Sequence, residues 1–348
     1  MNSGQETGGA NGAKPPRRPR PLSGEDYVSG VLSGNRAVLA RAITLVESDS
    51  RIQEAQAQEV LRQLLPHTGK AWRVGITGAP GVGKSTFIEA LGCFLTGRGR
   101  KVAVLAVDPT SARSGGSILG DRTRMERLSQ DPLAFIRPSP AGGNLGGVAR
   151  RTRETMLLCE AAGFDIILVE TVGVGQSELT LRSMVDFFLL LLLPGAGDEL
   201  QAIKKGIVEM ADGVLINKAD GDNRGRAEQA RLEQEAALHY AQPATPGWQP
   251  QVGLCSGLTG EGVARMWERV EQFYQELEPK GVIAERRHQQ ALDWLTDLVH
   301  DELRRRFHRD PRVLALLPEV RAALLRGETT AVCAARALLE AHHGGTGL

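Results

Sequence analysis

Short, largely apolar runs alternate with longer stretches of mixed polarity through the middle of this 348-residue chain. Runs that lack a polar residue at every second position are typical of strands buried on both faces. They lie at residues 72–77, 102–107, 165–169, 187–193 and 213–217. Strands that alternate with helices in this way predict an α/β fold with a mostly parallel sheet covered by helices on both faces.

Helical segments are expected on either side of this sheet. Residues 25–65 contain two apolar stripes at helical spacing, and Pro66 is expected to end the second helical stretch. The stripes are formed by Leu39, Ile43 and Val46 and by Val60, Leu61 and Leu64. An N-terminal helical segment is therefore predicted ahead of the first strand.

The C-terminal part is predicted to be helical at residues 283–309, 313–325 and 329–342, with Asp310-Pro311 as a break. The first of these helices has one broad apolar face, formed by Leu292, Leu295, Leu298, Val299 and Leu303. This face either packs on the protein's own core or forms a dimer arm, because an apolar stripe must be buried against something.

Composition excludes several classes of protein. The formal net charge of +1 gives no reason to expect nucleic acid or an anionic membrane as a partner. No stretch approaches the ~20 apolar residues that a membrane-spanning helix needs. The first 22 residues lack the apolar core of a secretory signal and are expected to be a disordered lead-in. The four cysteines form no C-x-x-C pair, so we expect reduced thiols and a cytoplasmic location.

The most informative motif follows the first apolar run. Residues 78–85 match the phosphate-binding template G-x-x-x-x-G-K-[ST] at each fixed position. Its backbone N–H groups converge on a pyrophosphate, Lys84 reaches the β- and γ-phosphates, and the Ser85 hydroxyl ligates Mg²⁺. The predicted nucleotide-binding residues here are Gly78, Ala79, Pro80, Gly81, Val82, Gly83, Lys84, Ser85 and Thr86. The sequence therefore predicts a P-loop nucleoside triphosphatase, and we call residues 78–85 the phosphate loop.

Acidic residues follow two of the other predicted strands. Asp108 comes after the run at 102–107, Glu170 comes after 165–169, and Asp121 lies in a glycine-rich stretch between them. Each carboxylate alone is as readily a helix cap or a loop residue. At the carboxyl ends of parallel strands beside a phosphate loop, however, they predict a nucleotide–Mg²⁺ site with Lys84, Asp108, Asp121 and Glu170 as catalytic residues. The expected metal ligands are Ser85, Asp108, Asp121 and Glu170.

Glu170 also begins the sequence E-T-V-G, the counterpart of the D-x-x-G motif in which the glycine N–H contacts the γ-phosphate. Gly173 is the predicted contact. In Ras-like proteins a glutamine directly after this glycine orients the attacking water. Val174 stands there in this chain and cannot do so, so slow intrinsic hydrolysis is expected unless Gln176 or a switch acid substitutes.

The nucleotide base is predicted from Asn217-Lys218-Ala219-Asp220, which directly follows the run at 213–217. In an N-K-x-D motif the aspartate accepts hydrogen bonds from the ring N–H and the exocyclic amine of guanine, a pattern that adenine does not offer. The lysine stem packs along the base and the asparagine ties loops together. Ser256, Gly257 and Leu258 lie where the O6 contact is expected. GTP and GDP are therefore the predicted ligands.

The ordered blocks GAPGVGKST, VDPTSARSGGSILGDRTRM, ETVGVGQSE, LPGAGDELQAIKKGI and NKAD together resemble the MeaB/ArgK GTPases, bacterial relatives of the human methylmalonic aciduria type A protein. The resemblance covers roughly residues 25–310. It implies a homodimeric G-protein chaperone that assists cofactor loading, protection or reactivation of an adenosylcobalamin-dependent acyl-CoA mutase, such as methylmalonyl-CoA mutase. It also implies that the block around residues 195–205 is an extra switch, with Lys204 as the residue that communicates with the mutase.

On this basis the chain is divided into a lead-in at 1–22, an N-terminal helical segment at 23–66, a P-loop GTPase domain at 67–280 and a C-terminal helical dimerisation segment at 281–348. Two alternatives stay open. A GTP-dependent metallochaperone would be expected to carry a His-rich tract or a Cys pair, and this sequence has neither. A kinase of the amino-acid-transport ATPase type is disfavoured by the N-K-x-D motif.

Overall fold

The computed structural model describes residues 22–48, 50–107, 125–138, 145–171, 177–195 and 205–344. All but the last residue of the predicted lead-in lies outside these ranges. Within them, no helix combines the length and the apolar character needed to cross a membrane.

One parallel sheet dominates the described part of the chain. Its seven strands lie in the order β3-β2-β4-β1-β5-β6-β7. They are β1 Trp72–Gly78, β2 Val102–Val107, β3 Ala134–Arg137, β4 Ile166–Thr171, β5 Phe187–Leu192, β6 Gly213–Ile216 and β7 Gln251–Leu254. The predicted parallel sheet is confirmed. The strands β3 and β7 were not predicted. The apolar run of β3 is only three residues long and ends at Arg137, and β7 mixes Gln251 and Gly253 with two apolar residues.

Thirteen α-helices accompany this sheet in the described part of the chain. They are α1 Gly24–Leu32, α2 Arg36–Val46, α3 Arg51–Leu64, α4 Lys84–Thr96, α5 Glu126–Gln130, α6 Leu145–Ala161, α7 Ser177–Arg182, α8 Lys205–Glu209, α9 Arg224–His239, α10 Val263–Leu277, α11 Val282–Arg309, α12 Pro311–Leu325 and α13 Ala331–His343. The predicted α/β class with helical segments at both ends is confirmed.

The core forms two layers, one on each face of the sheet. Strand β5 is continuously apolar because its side chains pack into both layers. Phe187, Leu189 and Leu191 pack into one layer, and Phe188, Leu190 and Leu192 pack into the other. The first layer includes residues of α4 and α10, and the second includes residues of α1, α2, α3 and α6. Burial on both faces positions the carboxyl ends of the central strands rigidly.

The N-terminal stretch predicted as helical consists of three helices. A turn at Ser33-Gly34 separates α1 from α2, and Gly34 has a φ of +71°, a conformation that favours glycine. The Asn35 side chain accepts hydrogen bonds from the N–H groups of Ala37 and Val38 and so caps α2. The helix α3 ends at Leu64, and a 3-10 turn at Leu65–His67 contains Pro66.

The first turns of α11 are attached to the residue that directly precedes β5. The Arg287 guanidinium donates to both carboxylate oxygens of Asp186, at 2.7 and 2.6 Å, and the Tyr274 hydroxyl donates to the same carboxylate at 2.8 Å. Asp186 is fully buried directly before β5. Burial alone would raise the pKa of this carboxyl, but the hydrogen bond and charge of Arg287 hold the pKa below its usual value. The helix is therefore fixed to the sheet by a paired, buried charge.

Further along, α11 leaves the core. Leu292, Leu295, Val299 and Leu303 are 59%, 59%, 48% and 55% exposed. Leu298, the fifth residue of the predicted face, is half-buried. Among the residues that the structure describes, most of this apolar face is therefore exposed. The predicted helix break at Asp310-Pro311 is also present. Asp310 caps α12, because its side chain accepts a hydrogen bond from the N–H of Arg312 at 2.9 Å.

Candidate functional site

The phosphate loop joins the central strand β1 to helix α4. Gly81 and Gly83 have φ values of +79° and +94°, where side chains with a Cβ are disfavoured. At Gly78, φ is +150° and an added Cβ would lie 2.4 Å from the carbonyl oxygen of Leu191 on the neighbouring strand. These glycines allow the backbone to curl above the N-terminus of α4, which is where an anionic phosphate is stabilised.

Lys84 curls back over this loop. Its ammonium Nζ donates to the carbonyl oxygens of Gly78 and Ala79 at 2.8 and 3.1 Å, and the residue is 7% exposed. Burial lowers the pKa of Lys84, and the carboxylates of Glu170 and Glu178 act in the opposite direction. The lysine is therefore held at the loop by backbone carbonyls and by two nearby negative charges.

The structure brings the phosphate loop and Glu170 together. The Ser85 hydroxyl donates to Glu170 Oε1 at 3.1 Å. Thr171 directly follows Glu170 on β4, and Thr77 lies on the neighbouring strand β1. Their hydroxyls are hydrogen-bonded at 2.8 Å, and both residues are completely buried. A hydroxyl and a carboxylate in this arrangement are oxygen donors of the kind that Mg²⁺ prefers.

Asn217 connects three loops around the site. Its Nδ2 donates to the carbonyl of Val82 at 2.8 Å, and its Oδ1 accepts from the N–H of Gly257 at 3.0 Å and from the thiol of Cys255 at 3.3 Å. Burial raises the pKa of that thiol to about 12, so Cys255 remains a neutral donor. The phosphate loop and the loop at 255–258 are thus held in one position by one amide.

Lys218 and Asp220 lie at the same end of the sheet. Lys218 has a φ of +58°, unusual for a residue with a side chain, and its Cε lies 3.9 Å from the position of a Cβ added to Gly83. Its stem therefore lies beside the phosphate loop. Asp220 is partly exposed, and the N–H of Ala219 between them donates to the Cys255 carbonyl at 3.0 Å.

The loop at 255–258 is shaped by its own turn. The Ser256 hydroxyl accepts from the N–H of Thr259 at 3.2 Å, and Leu258 is 81% exposed. A Cβ on Gly257 would lie 2.9 Å from the backbone nitrogen of Phe87 in α4, so this loop can approach the helix only with glycine here.

Four of the predicted site residues lie outside the described residues: Asp108, Asp121, Gly173 and Lys204. Val174 and Gln176 lie outside them as well. Among the residues that the structure describes, no group of three or more His, Cys, Asp or Glu side chains is placed to hold a metal ion.

The described residues fit a guanine nucleotide with Mg²⁺. The loop supplies N–H groups and an ammonium group for phosphates, Ser85 and Glu170 supply paired oxygen donors, and the segment 217–220 lies beside the same loop. Sequence patterns missed the Thr77–Thr171 pair and the burial of Glu178, which is 5% exposed. The threonine pair depends on the register of β1 and β4, which pairs Ile76 with Glu170 directly before the two threonines and which no local sequence pattern records.

A phosphate loop on the central strand of a parallel sheet, joined by an asparagine to an N-K-x-D segment, defines the class of P-loop GTPases. The model of the methylmalonyl-CoA mutase-associated GTPase MeaB family matches residues 39–312. The chain belongs to this family.

Similar proteins agree with this assignment. A putative GTPase of Caulobacter vibrioides is 53% identical over 311 residues, which are 89% of this chain and 95% of the relative. The methylmalonic aciduria type A homolog, mitochondrial, of Mus musculus is 45% identical over 323 residues, 90% of this chain and 78% of the relative. Among solved structures, a LAO/AO transport system kinase has a TM-score of 0.75 at 37% identity and covers 91% of this chain and 96% of its own.

Proposed function

We propose that this protein is a GTP-hydrolysing G-protein chaperone that assists cofactor loading, protection or reactivation of an adenosylcobalamin-dependent acyl-CoA mutase. The guanine-nucleotide part is supported by the contacts of Asn217. This first residue of the N-K-x-D segment is hydrogen-bonded to the phosphate loop and to the loop at 255–258. The mutase part rests on the family, whose name associates it with methylmalonyl-CoA mutase.

At the nucleotide, each group has a role that follows from its chemistry. Lys84 exchanges the carbonyls of Gly78 and Ala79 for the β- and γ-phosphates, which accept its charge more strongly. Gly173 is the proposed contact of the γ-phosphate through its N–H, as the E-x-x-G motif predicts. Lys218 packs along the base and Asp220 accepts its two N–H donors. Gly78 to Thr86 and Ser256, Gly257 and Leu258 complete the GTP and GDP site.

Magnesium is the proposed metal. Ser85 and Glu170 would hold it, together with Asp108 and Asp121, and its charge would offset the charge that develops on the phosphates during transfer. Val174 replaces the residue that orients water in Ras-like GTPases, so intrinsic hydrolysis is slow and a partner accelerates it. Lys204 is the proposed contact through which the nucleotide state reaches the mutase.

We also propose a homodimer built on the C-terminal segment 281–348. The exposed leucines and valine of α11 form a stripe that a second copy would bury. A cytoplasmic location agrees with the four cysteines, all of which are free thiols.

Affinity capture tests the partner. The tagged full chain is incubated with lysate of its own source in GTP or GDP, and bound proteins are identified by mass spectrometry. An adenosylcobalamin-dependent mutase, recovered with one nucleotide more than with the other, is expected. Recovery of a hydrogenase or urease subunit in its place would contradict the proposal and support a metallochaperone.

A further inference from the structure

Two buried threonines lie directly behind the proposed metal site. Thr77 is the residue before Gly78, where the phosphate loop begins, and Thr171 is the residue after Glu170. Both threonines are completely buried, and their hydroxyls are hydrogen-bonded to each other at 2.8 Å. Because a buried hydroxyl without a partner is costly, each threonine stabilises the other.

The residues on the other sides of the two threonines are apolar. In the register of the sheet, Thr77 lies opposite Leu190 of β5, and Thr171 lies opposite Val107 of β2. Leu190 and Val107 both belong to the buried apolar layer on this face of the sheet. The two hydroxyls are therefore a polar pair within an apolar layer.

This pair joins two halves of the sheet. Strand β1 lies with β5, β6 and β7 on one side, and β4 lies with β2 and β3 on the other. The backbone register between β1 and β4 ends at Ile76 opposite Glu170. One residue beyond it, the threonine hydroxyls hold the two strand ends together. They connect the half that carries the phosphate loop with the half that carries Glu170.

The Glu170 side chain lies on the opposite face of the sheet from this pair. Side chains alternate along a strand, so Glu170 and Thr171 point to different faces. On its own face, Glu170 Oε1 accepts from the Ser85 hydroxyl of α4 at 3.1 Å. The threonine pair therefore acts on Glu170 through the backbone from which the carboxylate projects.

The hydrogen bond also sets how closely the two strand ends approach. Two hydroxyl oxygens at 2.8 Å are closer than two methyl carbons in contact, which lie about 3.5–4.0 Å apart. A pair of valines would have nearly the same shape but would hold the strand ends further apart. Mg²⁺ binds with strict octahedral geometry, whereas Ca²⁺ accepts longer and more variable distances. The spacing of Ser85 and Glu170 is therefore more important for Mg²⁺ than for Ca²⁺.

We infer that Thr77 and Thr171 are positioning residues for magnesium: their hydroxyl pair holds Glu170 at the phosphate loop and makes the site selective for Mg²⁺ over Ca²⁺. The inference rests on the proposed function, because it takes Ser85 and Glu170 as the residues that hold the metal beside a guanine nucleotide. Neither threonine is a proposed metal ligand, so each acts through the backbone of its strand.

The test measures the dissociation constant of GDP by calorimetry on the full chain with Mg²⁺, with Ca²⁺ and with EDTA. Three variants are compared with the parent: Thr77→Val, Thr77→Ser, and the double variant with Thr77→Val and Thr171→Val. Valine removes the hydroxyl and keeps the shape, whereas serine keeps the hydroxyl. Thr152→Val is the matched control, because it removes a buried hydroxyl that donates to a backbone carbonyl within α6.

In the parent, Mg²⁺ is expected to strengthen GDP binding more than Ca²⁺ does. The strengthening by Mg²⁺ should fall roughly fivefold or more in Thr77→Val and in the double variant, as the loss of a group that orients a metal ligand predicts. The strengthening by Ca²⁺ and the affinity in EDTA should stay within about twofold of the parent. Thr77→Ser and Thr152→Val should keep the Mg²⁺ effect of the parent.

The double variant separates positioning from folding. Its two valines leave neither hydroxyl unpaired, so its urea unfolding midpoint should lie near that of the parent even where Thr77→Val unfolds earlier. An unchanged Mg²⁺ effect in the double variant, or an equal loss in Thr77→Ser, overturns the inference. A parent that binds GDP equally well with Mg²⁺ and with EDTA would remove the magnesium site and this inference. Failure of the parent to bind GDP would overturn the proposed function instead, and this inference with it.

Discussion

Asp220 is the residue on which the choice of nucleotide depends most directly. It is partly exposed at the end of β6, beside Lys218, whose stem lies next to Gly83. A carboxylate accepts from both N–H groups of guanine, whereas an amide presents a donor that suits the second oxygen of xanthine.

We therefore expect Asp220→Asn to lose GDP affinity by about tenfold or more and to gain affinity for xanthosine diphosphate, as a lost charged hydrogen bond predicts. Calorimetry with both nucleotides measures the change. Asp222→Asn, an exposed neighbour outside the motif, is the matched control. An unchanged preference for GDP would show that Asp220 does not select the base.

Glu170 is the described carboxylate nearest to the Ser85 hydroxyl, and the two are expected to share Mg²⁺. In Glu170→Gln the side chain keeps its size but loses its charge. The Mg²⁺ concentration for half-maximal GTP hydrolysis should rise about tenfold or more, since oxygen ligands without charge hold Mg²⁺ weakly. Glu233→Gln, exposed on α9, should leave it unchanged. An identical Mg²⁺ dependence in Glu170→Gln would remove this carboxylate from the metal site.

At the scale of elements, the attachment of α11 to the sheet depends on Asp186, which directly precedes β5. The pKa of Asp186 is lower in the folded protein than in the unfolded chain, because Arg287 stabilises the charged form. The stabilisation is therefore complete above the unfolded pKa of about 3.9 and is lost as the pH falls below it.

Asp186→Asn is expected to lower the free energy of unfolding by about 3–5 kcal/mol at pH 7, the usual cost of breaking a buried pair. It should also make stability fall less steeply as the pH drops below about 4. Urea unfolding followed by circular dichroism measures both. A variant as stable as the parent at pH 7, with the same acid dependence, would show that the pair contributes nothing.

The exposed stripe of α11 makes a prediction about assembly. Leu295→Glu with Val299→Glu places two charges where a second copy is proposed to pack, so the dimer should dissociate to monomers in analytical ultracentrifugation. Leu232 is 54% exposed on α9, so Leu232→Glu is the matched control and should remain dimeric. A dimer that survives the double substitution would place the interface elsewhere.

These elements also show what a sequence can predict. The phosphate loop and the long helix α11 follow local patterns, and both were predicted, α11 to within one residue of its start. The pairs Arg287–Asp186 and Gln290–Arg182 join residues 101 and 108 positions apart. No local pattern records such a pairing, so the attachment of α11 to α7 is visible only in the fold.

For the whole molecule, the two ends of the sheet have different roles. The carboxyl ends of β1, β4 and β6 lead into the proposed nucleotide site, whereas Asp186 and Asp212, at the amino ends of β5 and β6, hold the C-terminal helix. The short helix α7 runs between them. The proposed nucleotide site and the attachment of the C-terminal helix are thus joined by elements that are in direct contact.

The proposed chaperone function is best tested by the rate of GTP hydrolysis, measured with and without a purified adenosylcobalamin-dependent acyl-CoA mutase from the same source. We expect slow hydrolysis by the full chain alone and a rise of about tenfold or more on addition of the mutase, as when a partner completes a GTPase site. Glu170→Gln should show little of this rise. A rate that stays the same at saturating mutase would contradict the proposed function.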